Sequence, residues 1–134
     1  MYSNQIREDI GKLLLRLTVA VLMLFHGYSK VVSPGALDWI GGTLSAHSLP
    51  TVLSYGVYVG EILAPLMLIA GLYSRVGGLL IFVNMLFALF LAHQSEIFTV
   101  SGSGGWALEL QGFYLMGGLI VVLIGSGKFA VRPD

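Results

Sequence analysis

Four stretches of this chain are apolar over about the length needed to cross a bilayer, and they constrain its fold more than any other feature. They cover residues 12–32, 51–72, 76–93 and 107–125. Roughly 20 mostly apolar residues span about 30 Å of hydrocarbon as a helix. Inside lipid the backbone must satisfy its own hydrogen bonds, so only helices or closed barrels are open to such segments. Barrel strands would alternate apolar and polar residues, and Leu79-Leu80-Ile81-Phe82-Val83 does not alternate. Composition agrees: 56% of the 134 residues are hydrophobic and 10% charged, against about 25% charged in a soluble domain. Mean hydropathy is +0.86. The expected fold is an all-α integral membrane four-helix bundle, one domain over residues 1–134.

Gly27-Tyr28-Ser29-Lys30 after the first stretch is no small-residue cleavage site, so that stretch reads as a retained helix rather than a signal peptide. Cations set the orientation. Arg7, Lys12, Arg16, Arg75, Lys128 and Arg132 fall on one side, whereas residues 33–50 and 94–106 contain no Lys or Arg. Both termini are therefore expected in the cytoplasm. Residues 36–44 read as a short interfacial helix anchored by Trp39, and Trp106 as a belt residue after the Gly/Ser turn at 101–105.

Helices in lipid associate through close packing and polar contacts. Gly56-x-x-x-Gly60-x-x-x-Ala64, Gly77-Gly78 and Gly112, Gly117 and Gly118 offer close approach. Packing within one chain is the favoured use of these residues, and a homo-oligomer stays open. Pro65 removes a helical hydrogen bond and should kink the second span.

Ionisable groups within spans are costly and point to function. At about 100° per residue, Arg16, Met23, His26, Gly27 and Lys30 share about a third of the first helix's circumference. Glu61 lies near the middle of the second span, with Tyr58 and Pro65 roughly on its face. Its candidate partners are Lys30, Arg16 and His26. Glu109 enters the fourth span near the level of Lys30. One reading is an outer-half cavity lined by His26, Lys30, Tyr58, Glu61 and Glu109, with Arg16 below it. The other is a structural ion-pair network, Glu61 with Arg16 foremost. Asn84 reads as a helix–helix hydrogen bond, and His47 and His93 as interfacial.

Several chemistries find no support. Seven basic and seven acidic residues balance, so no field points to nucleic acid. Without cysteine there are no disulfides and no thiolate ligands. His26, Glu61 and Glu109 have no recognisable metal-ligand spacing, so no metal site is expected. Haem would want two axial histidines at one depth, and His26 and His93 differ by several residues.

The motifs resemble the DoxX family of small four-span bacterial inner-membrane proteins over about residues 11–127. The residues are Arg16-Leu17, Phe25-His26-Gly27-x-x-Lys30, Glu61, Gly71-Leu72-Tyr73-Ser74-Arg75 and Gly125-Ser126-Gly127. Ser126 stands where many members have Pro, and the ending Val131-Arg132-Pro133-Asp134 departs from theirs. The resemblance implies a multi-pass protein of the bacterial plasma membrane, associated with redox subunits or carrying oxidoreductase activity. It carries over Arg16, Lys30, Glu61 and Arg75 as motif residues. With no redox-centre ligands of its own, the chain would need a bound quinone or a partner subunit as electron carrier. His26 and Glu61 are then candidate catalytic groups handling protons, and Arg16 or Lys30 would stabilise an anionic oxygen. The alternative is a non-enzymatic scaffold or small-solute carrier in contact with membrane lipid, its charges structural.

Overall fold

The computed structural model describes residues 2–134 and is all-α. Five helices follow in order: α1 Tyr2–Val32, α2 Ala36–Ala46, α3 Thr51–Ala70, α4 Ser74–Ala92 and α5 Glu109–Ile124. Helices α1, α3 and α4 are long and apolar enough to cross a membrane. Helix α5 is apolar but has 16 residues, about 24 Å of rise. The fourth stretch, expected over 107–125, thus yields a shorter helix, because Trp106–Leu108 turn ahead of it.

Helix α1 starts ten residues before its apolar stretch. Its buried positions explain this: Asp9, Arg16, Val19, Ala20, Met23 and Gly27 recur at three, four or seven residues, one continuous face. Helices α1, α3, α4 and α5 surround a core built on Val19, Met23, Leu68, Ile81, Tyr114 and Val121. The tightest crossing joins α4 and α5. A Cβ on Gly78 or on Gly118 would overlap the other's carbonyl oxygen, so glycine sets the backbone separation there.

Helix α3 is composite. It opens as a 3-10 turn at Thr51–Tyr55 after Pro50, and Val59–Leu63 forms a π-helical turn. The cause of the second irregularity lies just below it. Pro65 has no N–H for the Glu61 carbonyl, and the Ala64 N–H bonds Val59 O, five residues back. The expected kink at Pro65 is therefore realised as a widened turn that contains Glu61.

Gly71 ends α3 in the left-handed region (φ 70°). Leu72 N–H bonds Met67 O and Gly71 N–H bonds Leu68 O, which satisfies two orphan carbonyls. The C-terminal tail folds against this end. Val131 and Arg132 N–H donate to Ala70 O and Gly71 O, and Arg75 Nε donates to Asp134 O at 3.0 Å. A Cβ at Gly71 would overlap Ala130, so the close approach also requires glycine.

Candidate functional site

The site grows from Glu61, a carboxylate buried in the π-helical turn of α3. Lys30 Nζ lies 2.5 Å from its Oε1, with side-chain exposures of 30% for Lys30 and 5% for Glu61. Asn84 Nδ2 donates to its Oε2 at 3.1 Å. The last turns of α1, the middle of α3 and the middle of α4 therefore meet on one side chain. Two glycines permit it. A Cβ on Gly27 would overlap the Glu61 carbonyl, and one on Gly60 would overlap the Asn84 side chain. The charge-assisted bonds offset part of the cost of holding a carboxylate at this depth.

Above this group lies a cavity of about 510 Å³, within the range of small-molecule sites. Its walls are mostly apolar. His26, Lys30, Glu61, Asn84 and Tyr114 supply its polar edge, and Trp39 of α2 forms part of its cover. The His26 and Tyr114 rings meet edge to face, with centroids 5.5 Å apart. Beside it is a smaller, polar recess of about 300 Å³, lined by Lys30, Ser33, Asp38 and Tyr58 among others. Lys30 forms a wall of both.

The structure brings together His26, Lys30 and Glu61 and corrects the rest of the expected set. Arg16 is not a partner of Glu61. It is fully buried and donates to three backbone carbonyls: Leu68 O at 2.5 Å, Ser126 O at 3.0 Å and Phe129 O. Leu68 O belongs to the last turn of α3, where the helix dipole presents negative charge, and Ser126 O and Phe129 O belong to the tail beyond α5, so backbone carbonyls from two segments hold the guanidinium fork. Tyr58 faces the polar recess rather than the main cavity. Tyr58 ends the α-helical turn just before the π turn that carries Glu61, so the regular helical spacing that put both on one face does not continue between them. Glu109 is exposed and absent from the cavity wall. It begins α5, where a carboxylate suits the positive helix end.

Two further residues join the site. Asn84 makes the expected helix–helix hydrogen bond, and its acceptor is Glu61 itself. Tyr114 was not singled out by the sequence, although a signal existed. It shares the 3–4–7 spacing of Gly117, Gly118 and Val121, the face that α5 buries. Among the described residues no cluster of three His, Asp or Glu could hold a metal ion.

Fold and site define an all-α membrane protein whose cavity has a Lys–Glu pair at its floor, the carboxylate buried. The chain belongs to the DoxX family, which matches residues 11–94. An uncharacterized protein of Haemophilus influenzae is 31% identical over 120 residues, covering 87% of this chain and 84% of that one. A Bacillus subtilis protein named putative oxidoreductase CatD is 25% identical over 126 residues, 93% of this chain and 87% of its own. No solved structure matches.

Proposed function

We propose that this chain is a quinone-interacting subunit of a membrane oxidoreductase, with the headgroup held beside Lys30, Glu61, His26 and Tyr114. The carrying observation is the cavity: apolar walls enclosing a Lys–Glu pair, a histidine and a tyrosine. Those residues fit a planar ring with polar oxygens on opposite edges. The Bacillus relative's name points to the same class of activity.

A bound quinone would supply a carrier for two electrons and two protons. The protein's own groups bind, orient and move protons. Asn84 and Lys30 fix the Glu61 carboxylate from two sides. Lys30 Nζ places positive charge where an oxygen gains electron density. His26 and Glu61 stand at the cavity as proton-handling groups. Arg16, tied to backbone carbonyls, takes no part in it. Electrons would come from a partner redox subunit.

In this reading the protein crosses the bacterial plasma membrane four times with both termini cytoplasmic. Arg75 and the tail residues Lys128 and Arg132 gather at the end where α3 and α5 finish, which agrees with the excess of cations expected on the inner side. Helix α5 is short, and it is apolar from Gly112 onward apart from Tyr114.

The test uses Trp39, which lines the cavity. In Trp106→Phe protein in lipid nanodiscs, added ubiquinone or menaquinone should quench Trp39 fluorescence saturably, near one quinone per chain. His26→Ala and Glu61→Gln should each weaken it. Quenching that never saturates and is equal in all variants would overturn the assignment.

One observation favours a scaffold role instead: Lys30, Glu61 and Asn84 tie three helices together. If that were their whole role, Glu61→Gln would lower thermal stability and leave quinone quenching of the folded fraction unchanged.

A further inference from the structure

The cavity is not symmetric, and its asymmetry bears on how a ligand reaches it. His26 and Lys30 of α1 and Gln111 and Tyr114 of α5 bring polar groups to one side. The opposite side is made by the outer halves of α3 and α4; there Ser54 and His93 lie at the outer edge, Glu61 and Asn84 at the floor, and the stretch between them is apolar. On that side apolar wall residues are also exposed. Leu53 and Val59 of α3 and Val83 and Phe87 of α4 line the cavity, yet are 46%, 39%, 40% and 48% exposed.

The backbone explains this exposure. Helix α3 packs on α4 through its π-helical turn and the helical turns below it, whereas its first turn, Thr51–Tyr55, packs chiefly on α2. The change falls at the turn that Pro65 widens. Above it the two helices draw apart, and a side opening there would be rimmed by aliphatic and aromatic side chains. An opening of that kind would be costly to hold against water and costs nothing against acyl chains.

Resting on the quinone reading, we infer that the cavity takes a long-tailed lipid quinone sideways from the bilayer between α3 and α4. The ring lies toward His26, Lys30 and Tyr114, and the isoprenoid tail runs out past Val59, Val83 and Phe87. Ring and tail separate because the two rings that meet edge to face and the Lys30 ammonium lie on the α1–α5 side, whereas most of the exposed apolar wall, Leu53, Val59, Val83 and Phe87, lies on the α3–α4 side. The smaller recess at Lys30, Ser33, Asp38 and Tyr58 is too polar for a tail.

The experiment uses the full chain in nanodiscs with a quinone carrying a photoreactive group on its tail, followed by peptide mass spectrometry. The expected result is labelling of α3 and α4 peptides containing Val59, Val83 or Phe87, competed away by unmodified long-tailed quinone. Labelling confined to α1 and α5, beside His26 and Leu110, would overturn the side opening and leave quinone binding intact. Saturable quenching of Trp39 with no competed tail labelling on α3 or α4 would do the same. Absence of any saturable quinone effect would remove the quinone reading, and this inference with it. A second measurement needs no labelling chemistry. Val83→Trp, which fills the opening, should lower the ratio of long-tailed to tail-less quinone affinity by about tenfold. An unchanged ratio in folded protein would refute the tail's path. Val59→Trp serves should the first variant fail to fold.

Discussion

Lys30 and Glu61 pair at 2.5 Å between the end of α1 and the π-helical turn of α3, and the two partners are unequally buried. Lys30 retains access to the polar recess, whereas Glu61 is enclosed. That inequality decides what each substitution does.

Lys30→Met leaves a buried carboxylate with only Asn84 to hold it, and should cost about 3–5 kcal/mol, the range for breaking a buried pair. Glu61→Gln should cost less, because Gln still accepts from Asn84 and the Lys30 ammonium can turn toward the recess. The double variant Lys30→Met/Glu61→Leu should recover much of the loss. Thermal melts in detergent check this; equal losses for the two single variants would contradict the asymmetry.

Asn84→Ala removes one of the two donors to Glu61. A hydrogen bond to a charged group contributes about 1.5–3 kcal/mol, and a loss of that order is expected. Asn84→Asp should be worse, since it sets a second carboxylate against the first. A melt of Asn84→Asp equal to wild type would refute the contact.

Gly27→Ala should disrupt the bundle, because the new methyl would overlap the Glu61 carbonyl, a backbone atom that cannot swing away. Gly56→Ala meets nothing within 4 Å and should be neutral or stabilising by up to about 1 kcal/mol through helix propensity. The two therefore diverge although both sit in apolar spans. Matched melting temperatures would count against the close α1–α3 approach.

Arg16→Lys should be nearly as damaging as Arg16→Met. A single ammonium cannot reach the Leu68, Ser126 and Phe129 carbonyls in the geometry of the planar guanidinium fork. Each carbonyl left unpaired costs about 1–3 kcal/mol. Faster proteolysis of the tail after residue 125 reads the loss; a Lys variant as resistant as wild type would contradict the clasp.

Much of this was legible along the chain. The three long apolar helices, the short helix α2 and the close approaches at Gly60, Gly78 and Gly118 follow from composition and spacing, since hydropathy and helical period act locally, whereas Gly56, expected in the same stripe, meets no neighbour. His26, Lys30 and Glu61 stood out because ionisable groups are rare in spans. Their pairing did not. A helical wheel ranks partners by depth and face, and by depth His26 lay nearest Glu61, while Arg16 and Lys30 both had the reach.

Sequence alone determined that this chain is helical, that it has spans, and which side chains would be expensive to bury. Tertiary structure decided which charges meet. Arg16 is taken up by carbonyls where α3 and α5 end and the tail returns, contacts separated by 52 to 113 residues. Lys30 reaches Glu61 because Gly27 lets α1 approach α3 and because Pro65 displaces the donor of the turn above it. Tyr58 leaves the cavity through that same turn, and Tyr114 enters it because the α4–α5 crossing at Gly78 and Gly118 orients its face. Such pairings depend on how neighbouring helices rotate and slide against one another, and no single helix's period encodes that.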